Sequence, residues 1–236
     1  MPAIPNILLR LLPRKDYLQL ASGLAPVTLK FEQVLYEPGK PMRDVYFPSA
    51  CLVSLLTIAE GHLALEVGMV GPEGMLGIPL ALGIGVSPVR ALVQGEGPAL
   101  RMSKARFLAE FRSSAPFNKS VLTYIHALMG QITQTAACNR FHLVEGRLAR
   151  WLLMTRDRVG SGEFRMTHEF LSHMLGVRRE GVSEAASVFQ DRNLIEYSRG
   201  KIRILDHGGL EGAACSCYGG APKKAGDIPH WRPAVH

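Results

Sequence analysis

The chain has 236 residues, of which 47% are hydrophobic, so it can form one large or two modest packed domains. Lys and Arg outnumber Asp and Glu by 27 to 20, and the resulting net charge of +7 suits a polyanionic partner, although the excess is spread along the chain. A membrane protein is excluded, because the apolar start is too short to span a bilayer and is interrupted by Pro2, Pro5 and Arg10. We therefore expect a cytoplasmic protein without a signal peptide.

The first half of the chain, residues 24–103, consists of short apolar runs separated by Gly and Pro turns. Short strands at regular spacing with this punctuation predict a barrel or a sandwich. A short helix over 13–20 precedes them. The predicted strands cover residues 27–31, 34–36, 45–47, 52–58, 63–70, 89–94 and 99–102.

A short helix over 104–111, capped by Ser103, and a long helix over 116–139 follow the strands. One stripe of the long helix has residues spaced alternately by four and three, which is the seam pattern of a coiled coil. We predict that this seam forms a homodimer. Its residues are Val121, Ile125, Leu128, Ile132 and Thr135, continuing to Asn139. The alternative is a helix that lies on the β domain through Leu122, Met129 and Ala136.

The segment 141–146 breaks the seam pattern and is the predicted hinge. An amphipathic helix over 147–158 and a loop over 159–164 follow it. These patterns divide the chain into a β domain (1–115), a dimerisation helix and hinge (116–142), a C-terminal domain (143–218) and a disordered tail (219–236). The tail is rich in Gly, Pro, Lys and Ala and has little to bury.

Residues 166–205, MTHEFLSHMLGVRREGVSEAASVFQDRNLIEYSRGKIRIL, are typical of a winged helix-turn-helix. Thr167 can cap the first helix, and Gly176 ends it where a left-handed residue is needed. A second helix over about 178–191 follows. After it, apolar residues alternate around a turn at 198–201, which predicts a basic two-stranded wing.

Recognition helices read bases with their N-terminal residues, where arginine can bind guanine and glutamate can accept a hydrogen bond from cytosine. The predicted base-reading residues are Arg178, Arg179, Glu180, Ser183 and Glu184. The predicted phosphate contacts are Thr167, His168, Arg199, Lys201 and Arg203. The sequence therefore predicts a regulator that binds double-stranded DNA.

A β-roll, a long helix, a hinge and a C-terminal winged helix, in this order, resemble the Crp/Fnr superfamily of bacterial transcription regulators. The resemblance extends to about residue 218. It is carried by LYEPG (35–39), GPEGMLG (71–77), PVRA (88–91), Phe141, Val144, GRLA (146–149) and residues 166–205. It implies an α+β fold with an N-terminal β-roll of the double-stranded β-helix or jelly-roll type. The resemblance also implies that residues 1–115 are a cyclic-nucleotide-binding-like sensor domain and that residues 143–218 are a winged helix-turn-helix DNA-binding domain.

The resemblance also implies roles for single residues. The family's base-reading Arg-Glu pair falls on Arg179 and Glu180, whereas its third base-reading position, often arginine, falls on Glu184. The operator therefore need not be that of the cyclic-AMP regulator. RNA polymerase is a further partner that the resemblance implies.

The predicted ligand cassette departs from the family pattern. Cyclic-nucleotide binders place a glutamate just after a glycine and an arginine before Ser or Thr, whereas here Ile78 follows Gly77 and Val89 stands at the arginine position. Arg90 comes one residue late, on the other face of the strand, unless the alignment slips by one. A buried phosphodiester would lack its charged partner, so we expect that cyclic AMP is not the effector. The expected pocket, with an otherwise aliphatic lining that includes Leu92, contains Gly77, Ile78, Val89, Arg90, Ala91, Ile132 and Thr133.

Other chemistry is weakly indicated. Cys215 and Cys217, with His207 nearby, are too few for a zinc site, so we predict no metal. A haem sensor would need an axial ligand such as His62, His126 or His142, but single histidines are more often solvated or capped core residues than haem ligands. Cys138 could be an oxidation switch, but a small buried hydrophobic residue is the simpler interpretation. No catalytic grouping appears, so we predict no enzyme and no cofactor beyond an unknown small effector.

Two functions remain open from the sequence. The first is a homodimeric, sequence-specific transcription regulator. The second is a small-molecule or redox-sensing module whose helix-turn-helix contacts proteins rather than DNA. The salt dependence of duplex binding separates them, because phosphate contacts release counterions.

Overall fold

The computed structural model describes residues 6–58 and 64–220 and has a mixed helical and sheet fold in the predicted order. The N-terminal half is built from antiparallel strands, a long helix follows, and a helix-turn-helix with a wing ends the fold. The helices are α1 (Ile7–Arg10), α2 (Arg14–Ala21), α3 (Lys104–Ser113), α4 (Ala115–Phe141), α5 (Val144–Val159), α6 (His168–Leu175), α7 (Arg179–Asp191) and α8 (His207–Ala213). Short 3₁₀ turns cover Ile78–Leu82 and Ser216–Gly220.

All seven predicted strands of the roll are present, with bounds shifted by a few residues at most. The strands are β1 (Ala25–Leu29), β2 (Val34–Tyr36), β3 (Asp44–Pro48), β4 (Leu52–Ile58), β5 (Ala64–Val70), β6 (Arg90–Gly95), β7 (Gly97–Ser103), β8 (Glu163–Arg165), β9 (Ile195–Ser198) and β10 (Lys201–Ile204). In the roll they form sheets of order β1-β7-β3 and β2-β6-β4-β5. The third sheet, β8-β10-β9, is the wing, and its pairings are antiparallel like those of the roll.

The loop predicted over 159–164 is partly wrong, because Glu163–Arg165 forms β8 and pairs with β10. Three residues are too few for a periodic signal, so the strand is specified by its partner rather than by its own pattern. His62 and residues 221–236 of the predicted tail lie outside the described residues. Among the helices that the structure describes, none is long and apolar enough to cross a bilayer.

The long helix α4 packs on the roll of its own chain. Val121 is fully buried and Leu128 is 3% exposed, and both belong to the roll core with Ile125, while Ile132 packs against that core. Thr135, the next seam residue, is half-buried and accepts a hydrogen bond from Arg150 Nη2 at 3.3 Å. The apolar residues predicted to form the dimer seam therefore pack on the roll of their own chain instead.

The physical reason is that α4 carries two apolar stripes of the same period, offset by one residue. The stripe that the structure leaves exposed contains Leu122, His126, Met129, Thr133 and Ala136. Leu122 is 45% exposed and Met129 is 61% exposed. Sequence period alone does not decide which stripe faces the roll.

A second apolar core joins the roll to the C-terminal half. Leu56 and Met69, on the outer face of β4 and β5, pack with Leu148 and Leu152 of α5. Leu92 packs against this core, so the expectation that it lines the roll interior is wrong. Strand β4 is buried on both faces for this reason and lacks the alternation of a half-exposed strand.

A buried carboxylate lies in this junction. Glu66 of β5 accepts a hydrogen bond from Trp151 Nε1 at 2.9 Å and one from Gln94 Nε2 at 3.2 Å. The Ser54 hydroxyl donates to the same carboxylate. Burial raises the pKa of Glu66 to about 7, against the lowering effect of these donors. Close by, Arg158 Nε of α5 forms an ion pair with Glu73 Oε1 at 2.8 Å.

Candidate nucleic-acid interface

Helices α6 and α7 form the predicted helix-turn-helix. The Thr167 hydroxyl accepts a hydrogen bond from the Phe170 amide at 3.1 Å and caps α6. Gly176, with φ of +61°, ends that helix in the left-handed conformation that glycine adopts without steric cost. The buried face of α7 then packs on α6 and α5. It consists of Val182, Ala185, Ala186 and Phe189.

The opposite face of α7 presents charged side chains to solvent. Arg178, Arg179, Glu180 and Glu184 are exposed at its N-terminal end, as a base-reading surface requires. Ser183 is half-buried: its hydroxyl is 3.1 Å from the Arg179 carbonyl oxygen, to which it donates, and 2.8 Å from His168 Nδ1. The Ser183 hydroxyl therefore already has two hydrogen-bond partners within the chain.

His168 does not fit the predicted phosphate contact. Its ring stacks on Tyr197 of the wing, with centroids 4.1 Å apart and planes 18° apart, and its Nε2 is buried. Burial, helped by the neighbouring Arg179, lowers the pKa of His168, so the ring favours its neutral form. The ring positions the wing against α6 instead of offering a charge to DNA.

The wing is closed by a two-residue turn. Arg199 and Gly200 both have positive φ, of 50° and 74°, which matches the twist of the antiparallel strands β9 and β10. This geometry holds Arg199 exposed at the tip of the hairpin. Gly200, at the second position of the turn, adopts this positive φ without steric cost.

Two cations of the wing already have acidic neighbours. Lys201 Nζ lies 3.5 Å from Glu163 Oε1, and Arg203 Nε lies 2.9 Å from Glu196 Oε2. Both pairs are more than half exposed, so they stabilise the fold little and can exchange for phosphate. No ion pair within 4.0 Å involves Arg199 among the residues that the structure describes.

Sequence reasoning missed one basic side chain of this surface. Arg165 of β8 lies opposite Lys201 in the strand register and is exposed. It adds a positive charge to the wing. Only the pairing of β8 with β10 reveals it, because the strand that carries it begins in a segment predicted as a loop.

The residues of the predicted effector pocket do not share one environment. Ala91 is buried in the roll core, and Ile78, Val89 and Ile132 pack against that core. Gly77, with φ of +96°, precedes the 3₁₀ turn. Arg90 lies on the other face of β6, where its Nε is 3.0 Å from Glu37 Oε2, and Thr133 is exposed on α4.

A second cluster, of thiols and an imidazole, lies where α4 meets the C-terminal residues. It contains Cys138, His142, Cys215 and Cys217. His207, which sequence proximity suggested, is not part of it. The sequence signal nearest to the cluster is the four-residue spacing of Cys138 and His142, which places both at the end of the same helix.

A helix-turn-helix followed by a short antiparallel sheet defines a winged-helix protein. Residues 146–213 match the model of the Crp-like helix-turn-helix domain. No curated protein sequence matches the chain.

Solved structures with a similar fold cover most of the chain. FixK2 from Bradyrhizobium japonicum is 12% identical with a TM-score of 0.68, over 82% of this chain and 98% of that one. A transcriptional regulator of the CRP family from Thermus thermophilus is 20% identical with a TM-score of 0.67, over 83% and 97%. The c-di-GMP responsive global regulator CLP of Xanthomonas campestris is 16% identical with a TM-score of 0.67, over 82% and 100%.

Residues 146–213 therefore form a Crp-like helix-turn-helix domain, and the chain has the fold of the Crp/Fnr-type structures that it resembles. The similar proteins from Thermus thermophilus and Xanthomonas campestris are described as a transcriptional regulator and a global regulator.

Proposed function

We propose that this Crp/Fnr-type regulator acts as a homodimer and recognises its operator by inserting the N-terminal end of α7 into the major groove. The observation that carries the proposal is the exposed set Arg178, Arg179, Glu180 and Glu184 at that end, flanked by a basic wing. Arginine and glutamate side chains at this position can read base edges, while wing cations contact phosphate. RNA polymerase is the second partner of the proposed complex.

The exposed stripe of α4 supports the dimer. Leu122, His126, Met129, Thr133 and Ala136 follow the alternating four- and three-residue spacing of a two-helix seam. Large exposed apolar side chains in this pattern match a second copy of the same helix. A Cβ added to Gly130, next to Met129, would meet nothing within 4 Å, so the space beside this stripe is open in the single chain.

Arg179→Ala tests base reading. We expect a loss of about 1–3 kcal/mol in operator binding and a relaxed preference at one base pair, because a base contact carries sequence information. Arg199→Ala is the matched control, since it removes the same side chain from the wing tip. It should weaken operator and random duplex alike and flatten the salt slope by about one unit.

The measurement is the fluorescence anisotropy of labelled duplexes at several salt concentrations, with the operator taken from genome-wide recovery of bound DNA. Equal losses on operator and random DNA for Arg179→Ala would contradict the proposal, because α7 would then lie along the phosphate backbone. Both side chains are exposed, so both variants should remain folded.

Cyclic AMP and cyclic GMP are not the effectors in this proposal. Val89 stands at the position of the phosphate-binding arginine, and Arg90 pairs with Glu37 on the outer face of the roll. Calorimetry should therefore detect no micromolar binding of either nucleotide. Saturable binding that Arg90→Ala abolishes would show that Arg90 turns into the roll.

The alternative is a module whose helix-turn-helix contacts another protein. Such a module should bind no duplex, whereas phosphate-mediated binding falls with salt at a log–log slope of roughly −0.9 per neutralised phosphate. The exposed arginines of α7 and the wing favour DNA. A salt series on random duplex separates the two.

A further inference from the structure

Four side chains with metal-binding atoms converge between the end of α4 and the residues that follow α8. Cys138 lies in the last turn of α4 and His142 is its C-terminal cap, while Cys215 and Cys217 flank the start of the last 3₁₀ turn. Their ligand atoms all lie within 4.8 Å of one another. Four donors this close together are near enough to share one ion.

Two of the six distances between these ligand atoms are close to those of a tetrahedral site for one ion. Cys138 Sγ is 3.5 Å from Cys215 Sγ, and Cys217 Sγ is 3.4 Å from His142 Nδ1. With Zn–S near 2.3 Å and Zn–N near 2.0–2.1 Å, neighbouring ligand atoms of a tetrahedral zinc ion lie about 3.6–3.8 Å apart. Three cysteines and one histidine are one of the common donor sets of structural zinc.

The charges around the cluster fit bound thiolates. Arg147 and Arg150 of α5 are both buried, and each interacts electrostatically with Cys138. Among the described residues, neither forms an ion pair with a carboxylate within 4.0 Å. Buried charges require compensation, and zinc with three thiolates carries the net negative charge that these guanidinium groups need.

The surroundings also orient the ligands. Gln134 Nε2 of α4 donates to Cys217 Sγ at 2.9 Å, as outer-shell donors to metal-bound thiolates do. The Cys215 amide donates to the Gly146 carbonyl oxygen of α5 at 3.2 Å. A side chain at Gly146 would bring its Cβ within 3.3 Å of Cys215, so glycine permits this close approach.

We propose that Cys138, His142, Cys215 and Cys217 bind one zinc ion that fastens the end of α4 to the C-terminal residues of the DNA-binding half. Binding displaces any thiol protons to solvent and changes no oxidation state. The ion spans the junction where α4 ends at Phe141 and α5 begins at Val144. It holds the DNA-binding half against the long helix independently of what that half binds.

The first test is the metal content of the full-length protein, purified under reducing conditions without chelator. We expect close to one zinc per chain by mass spectrometry of the elements. Cys215→Ser should lower zinc affinity, measured by chelator competition, by more than the roughly 10–100-fold that loss of an outer-shell partner costs. The matched control Cys51→Ala, at a buried thiol of the roll core, should keep its zinc.

Cobalt titration of the reduced wild-type chain tests the site without any variant. Tetrahedral cobalt with thiolate ligands gives intense visible bands and a near-ultraviolet charge-transfer band. His142→Cys retains four ligands and should keep both signals, with a stronger charge-transfer band. A cobalt spectrum without thiolate bands, zinc content unchanged in Cys215→Ser, iron–sulfur absorption, or a Cys138–Cys215 disulfide in a chain that takes up no metal when reduced would each overturn the proposal.

Discussion

Lysine at both Leu122 and Met129 should convert the protein from a dimer into a folded monomer. The two side chains are 45% and 61% exposed on the single chain, so the substitutions leave the roll core intact. In a two-helix seam they would place like charges opposite each other. Operator affinity should fall by roughly 10²–10⁴-fold, because the second half-site would no longer benefit from linkage to the first.

The matched control is Leu128→Lys, one residue away from Met129 but on the buried stripe of α4. It places a charge in the roll core, so we expect loss of folding rather than a folded monomer. Light scattering gives the mass, and circular dichroism gives the folded state. An unchanged dimer mass for the Leu122 and Met129 double variant would rule out this seam.

The helix-turn-helix was predictable because its signals are local. The cap Thr167, the turn Gly176 and the wing turn at Arg199 and Gly200 all lie within 34 residues, and the structure has each in its predicted role. Local backbone preference and tertiary packing agree throughout this segment. The seven strands of the roll were predictable for the same reason.

The face of α4 that meets the roll was not predictable in the same way. Two stripes of equal period differ by a single residue, and the choice depends on packing against strands far away in sequence. The role of His168 also depends on a distant partner, because its stacking on Tyr197 exists only once the wing has folded onto α6.

The thiol cluster shows the same limit more sharply. Cys138 and Cys215 are separated by 77 positions. Cys138 with His142, or Cys215 with Cys217, gives only two ligands, which is too few to suggest a metal site. Only the packing of the C-terminal residues on α4 and α5 unites them. The prediction of no metal counted only neighbours in sequence and did not consider this cluster in space.

Glu66→Gln should stabilise the protein at pH 8 and change its stability little near pH 4.5. Burial raises the pKa of Glu66 from an ordinary 4.5 to about 7, so the folded chain holds a proton there that the unfolded chain loses above pH 4.5. The stability contributed by the protonated carboxyl is complete below pH 4.5 and is lost as the pH rises through about 7. Between these two limits the contribution of Glu66 to the free energy of unfolding falls by an amount on the order of 3 kcal/mol.

Glutamine keeps an acceptor for Trp151 Nε1 and carries no charge, so its contribution should be the same at both pH values. Urea unfolding at pH 5 and pH 8 measures the effect. Glu73→Gln is the matched control in the same junction: it removes the partner of the buried Arg158 guanidinium and should destabilise the protein at pH 8 by roughly 1–3 kcal/mol. If both glutamine variants lower the stability at pH 8, then Glu66 is charged in the folded protein, and its hydrogen-bond donors outweigh its burial.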